Sequence, residues 1–191
     1  MESHEKNSRS RLFVAVEIND ECRAEVSRCI EGLKGAGADV GWVRPENLHI
    51  TLKFLGSTGM QFEAILSALQ PIAQRKFEMT LEGLGAFPNL NGPKVIFADV
   101  TEGREGLKTL ASLLEKALAP LGFAEEGREF HPHLTIGRVR SPKNLKKLNE
   151  KMVGRERQMF GKISVVRFCL VKSELGANGP VYTNVGEIQL I

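Results

Sequence analysis

HPHLTIGR, residues 131–138, sets His133 and Thr135 two residues apart, with the branched apolar Leu134 and Ile136 in the alternate positions. Side chains alternate across a strand, so His133 and Thr135 share one face, about 6.5–7 Å apart, while Leu134 and Ile136 anchor the other. LHITLKFLG, residues 48–56, repeats the arrangement, with His49 and Thr51 on one face and Ile50 and Leu52 on the other. Each copy reads as a strand followed by a helix, so the chain is built from two related halves. If the halves face each other across a cleft, they set two imidazoles and two hydroxyls around one small volume.

Outward from the two motifs, the pattern continues as α+β. RLFVAVEI (11–18) alternates as a strand, and Asn19-Asp20 caps a helix that runs to about Leu33 and ends at Gly35 and Gly37. Gln61–Gln74 is amphipathic through Phe62, Ile65, Leu66 and Leu69, with Pro71 placed to kink or shorten it. FEMTLEGLGAF (77–87) and KVIFADV (94–100) flank Pro88-Asn89 and Asn91-Gly92-Pro93 as a hairpin, and Leu107, Leu110, Leu114 and Ala117 stripe a helix over 104–118. After the second motif, Ser141 and Pro142 have the form of an N-cap and first helical residue, and ISVVRFCLV (163–171) and VYTNVGEIQL (181–190) close the chain as strands. The order β-α-β-α-β-β-α-β-α-β-β favours a layered α+β fold with largely antiparallel sheets, with residues 1–10 as a flexible tail and 11–191 as a single bilobal domain.

Bulk properties narrow the class without naming a function. A chain of 191 residues, 42% hydrophobic and 26% charged, can bury its own core. No apolar run is long enough for a membrane span and the polar start lacks a secretory h-region, so a cytoplasmic, monomeric protein is expected. A net charge of +3 with pI near 8.8 admits a phosphate or nucleic-acid partner. Cys22, Cys29 and Cys169 form no CxxC pair. The first two lie about 10.5 Å apart along a helix, beyond disulfide reach, so buried reduced thiols are expected.

The paired motifs suit a phosphate diester. One neutral imidazole can accept a proton while a second, protonated, donates one, since histidine titrates near neutrality. Threonine hydroxyls can donate to nonbridging oxygens, and Arg138 adds a fork of charged donors. A lone histidine on a strand is more often a structural residue. Here three of the four histidines fall in the two motifs, the fourth being His4, and structural histidines have no need of matching threonines.

Together with RLFVAVEI, WVRPENLHITLKFLG, GLGAFPNLNGPKVIFADV and GPVY, the two motifs resemble the paired HxTx motifs of the two-histidine phosphoesterase superfamily. The resemblance is to its RNA 2',3'-cyclic phosphodiesterase branch (LigT/ThpR-like, once called 2'-5' RNA ligase). It implies a bilobal α+β fold with one motif strand per lobe, and hydrolysis of an RNA terminal 2',3'-cyclic phosphate to a 2'-phosphomonoester without metal or cofactor. It makes His49 the proton donor, His133 the proton acceptor, and Thr51 and Thr135 the residues that hold the phosphate, with Arg138 beside them. The partner so implied is an RNA or oligonucleotide with a cyclic phosphate end, tRNA halves among them, and some such proteins also join RNA halves through a 2'-5' linkage.

Other residues are weighed against ordinary structural roles. His131 shares the face of His133 at the cleft rim. Tyr182 is a candidate platform for a base, whereas Trp42 reads as packing. For Arg44 and Lys53 the default is surface solvation, and Lys143, Lys146, Lys147 and Lys151 form either a solvated face or a track for an RNA backbone. Two other classes compete: a noncatalytic RNA or nucleotide-binding protein, and a metal-dependent hydrolase in which His131, His133 and His49 are ligands. The second leaves the matched threonines unexplained.

Overall fold

In the computed structural model, which describes residues 10–177 and 179–191, the motif strands belong to two separate antiparallel sheets. Residues 1–9, including His4 and nearly all of the expected tail, lie outside the described residues. The strands are β1 (Ser10–Glu17), β2 (Val40–Trp42), β3 (His49–Thr58), β4 (Phe77–Phe87), β5 (Val95–Val100), β6 (His133–Val139), β7 (Met159–Val165), β8 (Arg167–Gly176) and β9 (Gly179–Gln189). The helices are α1 (Asp20–Lys34), α2 (Phe62–Leu69), α3 (Arg104–Leu118) and α4 (Leu145–Met152). One sheet has the order β3-β1-β8-β9 and the other β2-β6-β5-β4-β7.

The two-halves reading extends into the register. In each sheet the motif strand pairs antiparallel with an earlier strand, β3 with β1 and β6 with β5. Thr51 lies opposite Ala15 and His49 opposite Glu17; correspondingly, Thr135 lies opposite Phe97 and His133 opposite Asp99. Immediately after each threonine the ladder skips one residue, Leu52 in β3 and Ile136 in β6. Such a bulge reverses which face the following side chains occupy. Lys53 and Gly137 consequently turn inward, and Phe54 and Arg138 turn outward.

Apolar residues on the opposite faces join the helices in one core, Ile50, Leu52, Leu134 and Ile136 among them. Helix α3 packs on β3 and α2, α2 packs on β9, and α1 packs on β7 and α4. A smaller cluster of Phe13, Ala15, Cys169 and Val171, with Tyr182 against it, lies on the other face of the β1-β8 ladder. All three cysteines are buried and unpaired, and burial pushes the Cys169 thiol up to about 11. No helix among the described residues is long and apolar enough to cross a membrane.

Four details refine or depart from the sequence reading. The apolar run 163–171 is two strands in two sheets, divided at the partly exposed Val166. β2, only three residues long, exists by pairing with β6. α2 stops before Pro71, so the proline shortens the helix. α4 begins after Asn144, which adopts a left-handed φ of 54° and donates from its side chain to the Gly37 carbonyl, so Ser141 is not its cap.

The largest correction concerns Lys53. Rather than solvated, it is 1% exposed, and its ammonium donates to Glu115 Oε2 at 2.5 Å and to the Ala124 carbonyl at 2.8 Å. Lys53→Met keeps the stem but strips Glu115, only 22% exposed, of its cation. The expected loss is about 3 kcal/mol, read as a lower urea midpoint, with Lys53→Met/Glu115→Leu recovering most of it. A single variant as stable as the wild type would show that the pair contributes nothing to the fold.

Candidate active site

The two motif histidines are held in the same local pose by different surroundings. A single 3-10 turn, Pro45–Asn47, leads into β3, and the Asn47 carbonyl accepts from His49 Nδ1 at 2.7 Å. Its side chain ties the turn to the Pro180 carbonyl at 2.9 Å. In the second half the His131 carbonyl accepts from His133 Nδ1, also at 2.7 Å. A carbonyl can only accept, so Nδ1 carries the hydrogen in both rings and Nε2 of each neutral ring is the basic atom. His49 Nε2 lies 3.0 Å from Thr51 Oγ1, which donates to it.

Aromatic rings flank both imidazoles. Phe13 stacks on His49 with centroids 4.8 Å apart, and Tyr182 meets it edge-on at 5.3 Å. Phe87 and Phe97, themselves stacked at 4.4 Å, meet His133 edge-on at 5.1 and 5.4 Å. These rings remove water from one side of each imidazole and disfavour its charged form. Burial accordingly lowers both pKa values below the ordinary 6.5, against the backbone hydrogen bonds, which raise them. Arg138 lowers both further; His131 also lowers that of His133, while Asp99 raises it.

One cleft of about 740 Å³ takes in every candidate from the sequence: His49, Thr51, His131, His133, Thr135, Arg138 and Tyr182. Arg138 reaches it because of the bulge at Ile136; strict alternation from Thr135 would aim it at the core. Tyr182 is half-buried and edge-on to both His49 and Phe13, so it walls the site with its ring partly committed to packing. His131 is exposed at the rim with Nε2 3.7 Å from Asp99 Oδ1, while Asp99 Oδ2 pairs with Arg104 at 2.6 Å.

Residues that sequence reasoning passed over also line the cleft. Phe54, 61% exposed, occupies in β3 the position that Arg138 occupies in β6. Phe87, Pro88, Lys94 and Val95 come from the β4–β5 hairpin, and Glu126, Arg128 and Phe130 from the irregular segment before β6. Trp42 lies outside the cleft lining and packs on the core; Gly137 makes room for it, since a Cβ there would meet Trp42 Cε3 at 2.9 Å. Arg44 is exposed beside Glu46. Lys143, Lys146, Lys147 and Lys151 are exposed on or near α4, whose Leu148 and Met152 enter the core, and none lines the cleft. Among the described residues no group of three His, Cys, Asp or Glu side chains is placed to hold a metal ion.

Comparison with known proteins gives concordant matches. The family model described as the 2'-5' RNA ligase superfamily matches residues 16–177. An RNA 2',3'-cyclic phosphodiesterase of Methanothermobacter thermautotrophicus is 36% identical, covering 94% of this chain and 98% of its own length. One from Archaeoglobus fulgidus is 38% identical, covering 92% and 97%. A crystal structure of a Thermus thermophilus protein superimposes with a TM-score of 0.76 at 30% identity, covering 94% and 97%.

The shared pose has a spectroscopic consequence. In 15N–1H spectra of the ligand-free protein at neutral pH, His49 and His133 are expected as neutral Nδ1–H tautomers, each titrating below about 6.5. An Nε2–H tautomer at either position would contradict the hydrogen-bond assignment.

Proposed function

The chain belongs to the 2'-5' RNA ligase superfamily, and from that premise we propose that it is an RNA 2',3'-cyclic phosphodiesterase that hydrolyses the terminal cyclic phosphate to a 2'-phosphomonoester. The observation that carries this reading is the pair of histidines in one cleft, each with Nδ1 anchored on the carbonyl two residues back and Nε2 available for proton transfer.

In this reading His133 Nε2 takes a proton from water as the water oxygen bonds to phosphorus. The bond from phosphorus to the ribose 3'-oxygen breaks, and protonated His49 gives its Nε2 proton to that oxygen. The products are a 2'-phosphate and a 3'-hydroxyl, and the histidines return to their starting states by exchanging protons with solvent. Once His49 Nε2 is protonated the Thr51 hydroxyl is free to donate elsewhere, so Thr51 and Thr135 donate to nonbridging oxygens, and Arg138 offsets the charge gathered on them. His131 supplies the carbonyl that orients His133 and reaches substrate only at the rim, while Tyr182 walls the His49 side. Every step is met by protein groups, so no metal is required. With an RNA 5'-hydroxyl in the place of water, the same geometry joins two ends through a 2'-5' linkage.

The lowered pKa of His49 bears on its role as acid. A bound phosphate anion favours the imidazolium and raises the pKa of both histidines. Activity increases as the base loses its proton and decreases as the acid loses its own. The profile of kcat/KM, which reports the free enzyme, is therefore expected to be a bell with its maximum below about pH 6.5, and that of kcat to be displaced to higher pH.

A short RNA ending in a 2',3'-cyclic phosphate, incubated with chelator present, is expected to give a 2'-phosphate, with His49→Ala and His133→Ala each costing about 10²–10⁴-fold in kcat. A 3'-phosphate product would reverse the leaving group. Activity lost to chelator and restored by zinc would sink the metal-free mechanism, and binding without turnover would favour a noncatalytic RNA-binding protein.

A further inference from the structure

The cleft is larger and more cationic than one cyclic phosphate requires. Its volume, about 740 Å³, lies in the upper part of the range for small-ligand pockets. Among the described residues, the ion pairs along its walls are Lys53–Glu115, Lys108–Glu129 and His131–Asp99, and none takes up Lys94, Arg128 or Arg138. A cyclic phosphodiester brings a single negative charge, which Arg138 meets beside the threonines. Arg128 shares its segment with Glu126, so that wall gains no net charge from the two. Lys94 is the cation left without a counterpart.

Its backbone is fixed. Lys94 N donates to the Phe87 carbonyl at 2.7 Å, and its own carbonyl accepts from Val139 N at 2.9 Å, so the residue is bonded between β4 and β6. Val95, the next residue, pairs with both Phe87 and Arg138. Val95 lies four residue steps along β5 from Asp99, which lies opposite His133, a span of about 13 Å along the strand. Apart from Arg138, which stands across the ladder from Val95, the hairpin side of the lining between His133 and Lys94 is apolar: Phe87, Pro88 and Val95. The order along this wall is phosphate site, apolar strip, cation. A nucleotide chain has the matching order: phosphate, nucleoside, phosphate.

We infer that Lys94 forms a second phosphate subsite, which takes the phosphodiester on the 5' side of the terminal nucleotide while the Phe87–Pro88–Val95 strip seats the terminal nucleoside. The inference rests on the cyclic phosphodiesterase reading, and it makes Lys94 the residue by which the enzyme prefers an RNA end to a free nucleoside 2',3'-cyclic phosphate.

The test compares wild type and Lys94→Gln on a nucleoside 2',3'-cyclic phosphate and on a dinucleotide with the same terminus. The wild type is expected to favour the dinucleotide. Lys94→Gln should lower kcat/KM for the dinucleotide by about tenfold, leave the mononucleotide within about twofold, and reduce the logarithmic salt slope for the dinucleotide by about 0.7. Lys94→Arg should retain the preference. An equal effect of Lys94→Gln on both substrates, or on neither, overturns the subsite. Absence of turnover on both substrates in the wild type would instead remove the catalytic reading. The subsite is then judged by equilibrium binding of a nucleoside 2'-phosphate and a dinucleotide 2'-phosphate, where a loss confined to the dinucleotide supports it and an equal loss, or none, refutes it.

Discussion

The residue skipped just after each motif threonine decides what both walls of the cleft present. Up to the threonine, β3 and β6 obey strict alternation; beyond it, the bulges at Leu52 and Ile136 exchange the inward and outward faces. Without them Phe54 and Arg138 would be driven into the apolar core, where an unpaired guanidinium costs several kcal/mol. With them, the two halves are alike through the histidine and threonine and then diverge. The first half buries Lys53 and presents an aromatic ring. The second buries Gly137, which leaves room for Trp42, and presents a guanidinium. A repeat thus supplies matched imidazoles and hydroxyls, while the residues after each bulge make the walls chemically unequal.

The electrostatics follow the same duplicated plan. Directly across the ladder from each motif histidine stands a carboxylate, Glu17 opposite His49 and Asp99 opposite His133. Each is engaged by an arginine, Glu17 by Arg167 at 3.0 Å and Asp99 by Arg104 at 2.6 Å. Neither carboxylate is left free to hold its histidine as a permanent imidazolium. Burial and Arg138 therefore prevail and hold both histidine pKa values down.

Much of this was legible from the sequence because it is periodic. Alternation located the motif strands, the apolar stripes located the helices, and the matched His-x-Thr pairs brought seven candidate residues to one cleft. What the sequence concealed are single-residue events fixed by distant partners. The bulge after Thr51 depends on the register with Val14 and Ala15, and the division at Val166 depends on one strand pairing with β4 and the next with β1. A continuous apolar run carries no mark of such a corner. Lys53 is misread from the sequence for the same reason: nothing local reveals that a bulge turns it toward Glu115, 62 residues downstream. Phe54 and Lys94 escape notice because each lies beyond a motif or turn, where ladder geometry rather than residue type sets direction.

The buried ammonium also explains how two sheets can fix one geometry. Residues 123–132 have neither helix nor strand, yet they carry the chain across the cleft into His133. Lys53, two residues after Thr51, donates to the Ala124 carbonyl at the start of this segment, and Lys108 on α3 holds Glu129 near its end at 2.9 Å. The first bond is shielded from water and salt and the second is exposed, so the first dominates the restraint. The strand that presents one motif histidine thereby anchors the chain leading to the other, and the separation of the two imidazoles is tied to a contact that neither motif contains.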